Sequence, residues 1–167
     1  EKAPTRTLRL YSIYGPWEEP SRLMPALVLS GLEGTLPPLV GPDVARDYVH
    51  IDDAVEACIL AASGPDQEPG AVYNVGSGVQ TTLAEAVEVA RGVLGIEAMP
   101  QWGSMPPRIW DTAVWVSDPR RIQASLGWRP AGELAGGFTE FGGWFRGRPG
   151  IPGPFRRLPP MQFPDCP

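Results

Sequence analysis

Arginine carries the chemistry most open to use in this sequence. Arg22 falls at the start of an apolar helical pattern, Arg46 just before a short β-rich run, and Arg108 in a Pro-rich loop. A guanidinium forks onto phosphate oxygens through paired N–H groups, so a pyrophosphate site wants a few arginines converging from separate elements. Spacing does not show convergence, and on spacing alone three ordinary surface arginines is the plainer reading. His50 is the only histidine. It has no second histidine for a metal cluster, and it reads as one face of a strand with no catalytic task. Asp52 and Asp53 could serve as acid/base groups or metal ligands, but capping of the helix after them accounts for both. Gly76-x-Gly78 follows a strand pattern without the third glycine or the downstream acidic residue of a dinucleotide fingerprint, so a tight turn is the better reading.

These residues sit on alternating strand and helix patterns. Thr5 to Ile13 alternates and is β-rich, and Tyr14-Gly15-Pro16 ends it. Ser21 to Leu32 carries an apolar face, with Ser21 as its cap and Pro25 tolerable in the first turn. Leu36 to Gly41 is a short extended piece. Tyr48 to Ile51 reads as a strand, followed by a helix over 54–62 capped by Asp52 or Asp53, where a carboxylate suits the positive end of the dipole. Gly64 to Gly70 is a loop and Ala71 to Val75 a strand. Thr82-Leu83-Ala84-Glu85 is a capping box that opens a helix to Leu94, closed by Gly95. Ala98 to Trp102 and Val114 to Ser117 read as short strands. Asp118 caps a helix through Leu126, and Glu133 to Phe145 is a Gly-interrupted helix. The alternation indicates an α/β layered fold with some parallel pairing. From Arg146 the sequence is dense in Pro and Gly without a period, so 1–145 reads as the folded part and 146–167 as a disordered tail.

The bulk properties exclude several classes of partner. The chain has 167 residues with 43% hydrophobic and 20% charged content, ordinary for one globular domain. A net charge of −5 disfavours nucleic acid, whose backbone calls for clustered Lys and Arg. No apolar run is long enough to cross a bilayer and no signal peptide is evident, which favours the cytoplasm. Two cysteines, Cys58 and Cys166, match no metal or disulfide spacing, and Cys58 reads as a small core residue.

Six motifs stand in order along the chain: residues 9–16 (Arg-Leu-Tyr-Ser-Ile-Tyr-Gly-Pro), Ser21-Arg22-Leu23-Met24-Pro25, Arg46 to Asp53, Tyr73-Asn74-Val75-Gly76, Pro107-Arg108-Ile109-Trp110-Asp111, and Leu126 to Pro130. Over about residues 5–145 this order resembles the C-terminal half of an extended short-chain dehydrogenase/reductase, the NAD-dependent nucleotide-sugar epimerase/dehydratase family. The resemblance implies the C-terminal part of a Rossmann-type fold with its small α/β substrate-binding domain. It implies that Tyr11 lies beside the nicotinamide and that Arg46 and Arg108 grip the substrate diphosphate. Arg22 and Leu23 then face the nucleotide side of the cleft, Asn74 contacts substrate, and Asp111 binds or braces near Arg108. Ser12 stands where the family often has Asn, which shortens that substrate contact.

The departures concern the chemistry itself. The family's proton-transferring Tyr-x-x-x-Lys occurs nowhere in the sequence, where Lys2 is the only lysine, and the glycine-rich cofactor loop is also absent. The expectation is a truncated or split product, inactive alone, that binds nucleotide-sugar and does not itself hold NAD or NADP tightly. A second polypeptide carrying the cofactor half, or self-association, would cover the sheet edges left open. A non-catalytic nucleotide-sugar-binding or protein-interaction module is the alternative.

Overall fold

The β-rich stretch near the start divides between two partners. In the computed structural model, which describes residues 5–64 and 69–147, β1 (Thr7–Leu10) pairs parallel with β5 (Val72–Val75), and β2 (Ser12–Tyr14) pairs parallel with β4 (Tyr48–His50). The single strand expected over 5–13 is thus broken at Tyr11, whose N–H still reaches Val75 O at 3.1 Å while Ser12 N turns to Asp47 O at 3.0 Å. A third pair, β3 (Ala45–Arg46) with β6 (Thr81–Thr82), is antiparallel and was not legible in the sequence, being two residues long on each side. The α/β class stands as expected.

The helices are α1 (Leu23–Leu32), α2 (Ile51–Ser63), α3 (Leu83–Leu94), α4 (Arg120–Leu126) and α5 (Leu134–Arg146). The capping box is present as read: Thr82 Oγ1 accepts from Glu85 N and Glu85 Oε2 accepts from Thr82 N. Gly95 stops α3 with φ at 70°, a left-handed conformation that glycine adopts without the Cβ penalty. Three other caps differ from the sequence reading. His50, not Asp52 or Asp53, caps α2; its ring accepts from Asp52 N and the aspartates fall in the first turn. Arg22 stands at the N-cap of α1, and the hydroxyl of Ser21 donates to Glu19 instead. Pro119 stands at the N-cap of α4, and the Asp118 carboxylate forks onto the Arg120 side chain. Ser21 and Asp118 each take a side-chain partner two residues away, whereas the Asp53 carboxylate accepts from Ala131 N, 78 residues on.

One core gathers α1, α3 and α5 around Tyr14, Leu27, Leu39, Val87, Phe138 and Phe141. A second gathers β5, α2 and α4 around Val49, Ala57, Tyr73, Ile122 and Trp128. Helix α2 buries Asp53, Ala54, Ala57 and Ala61, one face at helical spacing. Cys58, one residue round from Ala57, is exposed, which corrects its reading as a core residue. The stretches 98–102 and 114–117 carry no strand; the second is held as an open loop with Val114, Trp115 and Val116 exposed. Of the proposed tail, residues 148–167 and Cys166 with them lie outside the described residues.

Candidate functional site

The 105–117 loop folds back onto β3, and this ties two of the three arginines to one carboxylate, Asp111. Ala45 N donates to Thr112 O at 2.8 Å. That seam places Asp111 beside Arg46: Arg46 Nη2 donates to Asp111 Oδ1 at 3.2 Å, and Arg46 Nη1 donates to its neighbour's carbonyl, Ala45 O, at 2.7 Å. The other carboxylate oxygen, Asp111 Oδ2, accepts the backbone N–H of Arg108 at 2.8 Å. One carboxylate therefore ties the Arg46 side chain to the turn that carries Arg108. The Arg108 guanidinium lies over the Trp110 ring at 6.0 Å and stays exposed. Arg46 lies over the Trp115 ring at 5.6 Å, and Trp115 meets Tyr11 edge to face at 6.1 Å. Tyr11, Arg46, Arg108 and Asp111 thus form one connected group.

The remaining predicted positions are held otherwise. Ser12 bonds through its backbone to Asp47, and its hydroxyl makes no hydrogen bond among the described residues. Asn74 donates from Nδ2 to Asp118 O at 3.2 Å. Leu23 packs against the first core. Arg22 is exposed and pairs with Glu18, Nε to Oε1 at 2.9 Å. Burial pushes the Glu18 carboxyl up to about 7, against the opposing pull of Arg22 and of the Gly15 N–H. No hydrogen bond or ion pair joins Arg22 or Leu23 to the Arg46 group among the described residues.

Asp47 was missed by sequence reasoning. It is fully buried, and its carboxylate accepts four donors: Ser77 N at 2.7 Å, Ser77 Oγ at 2.6 Å, Gly78 N at 3.1 Å and Ser117 N at 2.9 Å. A buried carboxylate persists only when its lone pairs are met, and here they are. Its partners lie 30 to 70 residues away, so no local spacing could have marked it. Gly76 is required beside it, because a Cβ there would stand 2.5 Å from Ser117 Cβ and 2.8 Å from Asp47 Oδ2. Trp115 was missed as well, since the stretch around it read as a strand.

A cavity of about 290 Å³ lies elsewhere, among Tyr14, Tyr48, His50, Asp52, Glu133 and Glu140, with no arginine in its wall. His50 Nε2 is buried there without a hydrogen-bond partner among the described residues. Ligand atoms of His50, Asp52 and Glu140 lie within 4.8 Å of one another, but both carboxylates are exposed and His50 already caps α2. Asp53 also lines this cavity, whereas none of the residues to which the resemblance gives a role does.

Residues 2–76 match the family described as the NAD dependent epimerase/dehydratase family. The chain is 31% identical to a dTDP-glucose 4,6-dehydratase of Streptomyces griseus, over 84% of this chain and 42% of that protein. It is 29% identical to UDP-glucuronate 4-epimerase 5 of Arabidopsis thaliana, over 84% of this chain and 35% of that protein. A UDP-glucose 4-epimerase of Thermotoga maritima, solved with UDP-glucose, shares the fold with a TM-score of 0.75 at 27% identity, over 85% of this chain and 46% of that one. MoeE5, solved with UDP-glucuronic acid and NAD, gives 0.76 at 30% identity over 84% and 46%. The chain spans less than half the length of these relatives.

The described residues do not themselves fit a dinucleotide. The glycine turn after β5, 76–78, spends the N–H groups of Ser77 and Gly78 on Asp47, and it leads to β6, not to a helix whose N-terminus could face a pyrophosphate. Tyr11 is the single residue that the resemblance places beside the nicotinamide. No described helix is long and apolar enough to cross a membrane. The ordered motifs, the parallel α/β pairing and the likeness to solved relatives agree: the chain belongs to the NAD-dependent epimerase/dehydratase family, within the extended short-chain dehydrogenases/reductases.

Proposed function

We propose that this chain is the substrate-binding, C-terminal part of an NAD-dependent nucleotide-sugar epimerase/dehydratase. Its task is to grip the diphosphate of a nucleotide-sugar through Arg46 and Arg108. The observation that carries this reading is the shared carboxylate of Asp111, which orients one arginine by its side chain and the other by its backbone. Two guanidiniums from separate elements suit a ligand with two linked phosphates. Arg46 uses only Nη1 and Nη2 on protein acceptors, and Arg108 makes no ion pair among the described residues, so donors remain for an anion. On the resemblance, Arg22 and Leu23 are assigned to the nucleotide side of the cleft, and Ser12 and Asn74 to further substrate contacts.

The proton-transferring Tyr-x-x-x-Lys and the glycine-rich cofactor loop would come from outside these 167 residues. The apolar side chains left exposed on β1 and α2, Leu10, Val55 and Ile59, support a face for that part to cover. The test is isothermal titration with UDP-glucose and UDP-glucuronic acid, beside an Arg46→Ala, Arg108→Ala double variant. Binding by the wild type that weakens by about tenfold or more in the variant supports the grip, since a hydrogen-bonded charge contact is worth roughly 1.5–3 kcal/mol. Equal binding by both, or none by a folded wild type, overturns it.

A further inference from the structure

We infer that Trp115 is the positioning residue that sets the direction of the Arg46 guanidinium. The inference rests on the diphosphate reading for its purpose, though its geometry stands apart from that reading. A long side chain at a strand edge has many rotamers, and a planar fork binds phosphate well only when its plane is set beforehand. Asp111 at Nη2 (3.2 Å) and Ala45 O at Nη1 (2.7 Å) hold two corners of the guanidinium at its edge, and neither packs against the face of its plane. The Asp111 contact by itself would let Arg46 fold onto that carboxylate and spend its charge there. The Trp115 ring beneath the guanidinium, 5.6 Å from Cζ to centroid, supplies a face that the cation is attracted to. Carboxylate at one edge and ring below leave Nε and the remaining N–H hydrogens without a protein acceptor among the described residues.

Trp115 is built in as a plate would be. Its backbone N–H donates to Gln80 Oε1 at 3.0 Å, from the strand end beside β6. Val114 N, just before it, donates to Thr112 Oγ1 at 3.2 Å, and Ser117 N, two residues after it, donates to the buried Asp47. The ring edge is met by Tyr11 at 6.1 Å with planes at 63°. Those contacts explain why a tryptophan 44% exposed on an open loop is held in one place.

The test uses Trp115→Leu and Trp115→Phe in the whole chain, with UDP as the probe. Binding should weaken by about fivefold in the Leu variant and by less than about twofold in the Phe variant, because phenylalanine keeps a ring face. The second measurement needs no ligand: the Arg46 Nε–H resonance, assigned by its loss in Arg46→Lys. Ring current should shift it in the wild type and in Trp115→Phe, and Trp115→Leu should return it to the position of a free arginine. Asp111→Asn should leave that shift in place. An unshifted Arg46 signal in the wild type, or UDP binding unchanged in Trp115→Leu, overturns the positioning role. A shifted signal in a wild type that does not bind UDP overturns the diphosphate reading and leaves the stacking standing.

Discussion

Asp47 receives both the backbone N–H and the hydroxyl of Ser77 on a single carboxylate oxygen, at 2.7 and 2.6 Å. The other oxygen takes Gly78 N and Ser117 N, so one buried side chain joins the entry to β4, the turn after β5 and the loop that carries Trp115. Removing it takes the acceptor from the buried backbone N–H groups of Ser77 and Ser117 and leaves Gly78 N only Ser117 Oγ at 3.2 Å. Asp47→Ala should therefore cost about 3 kcal/mol or more, whereas the exposed Asp43→Ala should change stability by under about 0.5 kcal/mol. Urea denaturation of the three chains measures this. Similar midpoints for Asp47→Ala and wild type would show that the knot is dispensable.

Glu18 should make stability depend on pH between about 4.5 and 7. Its carboxyl is raised from 4.5 to about 7, first by burial. The folded chain then holds this proton more tightly than the unfolded one. Below 4.5 both forms are protonated and nothing is lost. As pH rises toward 7 the unfolded form ionises first, so stability falls, and above 7 the loss is constant at about 2–3 kcal/mol. Glu18→Gln should flatten this slope and be the more stable chain at pH 8. Denaturant midpoints across pH 4.5 to 8 test it; parallel curves for the two chains would rule Glu18 out as the source.

Two glycines of α5 should answer alanine in opposite directions. A Cβ on Gly137 would collide with the hydroxyl of the buried Tyr14, which already donates to Leu134 O at 3.5 Å. Gly137→Ala should cost about 1–3 kcal/mol through that overlap. A Cβ on the exposed Gly143 meets nothing within 4 Å, so Gly143→Ala should add up to about 1 kcal/mol of helix propensity. Thermal unfolding of both variants decides. Equal shifts would mean that the α5–Tyr14 contact is looser than the geometry indicates.

Trp128 closes the second core with a polar tip. It is 1% exposed, and its Nε1 donates to Asp53 O at 2.9 Å, while Ala131 N donates to Asp53 Oδ1 at 2.9 Å. Trp128→Phe removes the donor and part of the volume, and should cost roughly 2–4 kcal/mol from the two effects together. Asp53 was read as a helix cap; its observed task is to latch the segment after α4 to the start of α2. Denaturant unfolding measures the loss, and a change under about 1 kcal/mol would show that the latch is not needed.

What the sequence determined by itself was what neighbours in the chain decide. The Thr82–Glu85 box and the Gly95 stop are short-range hydrogen bonding and backbone freedom, and both stand as read. The strand–helix alternation set the α/β class, because apolar periodicity is local, and the ordered motifs carried the family. The sequence could name Arg46, Arg108 and Asp111 through that resemblance, but not that one carboxylate joins them. Tertiary structure decided the rest, through contacts between residues far apart. Asp47 finds its donors 30 to 70 positions away, the 105–117 loop folds against β3 although 114–117 had read as a strand, and Trp115 lies under Arg46 only because that fold-back occurs. Cys58 was misplaced for a related reason: an Ala-rich helix has a weak apolar pattern, so which face turns inward is settled by what packs against it.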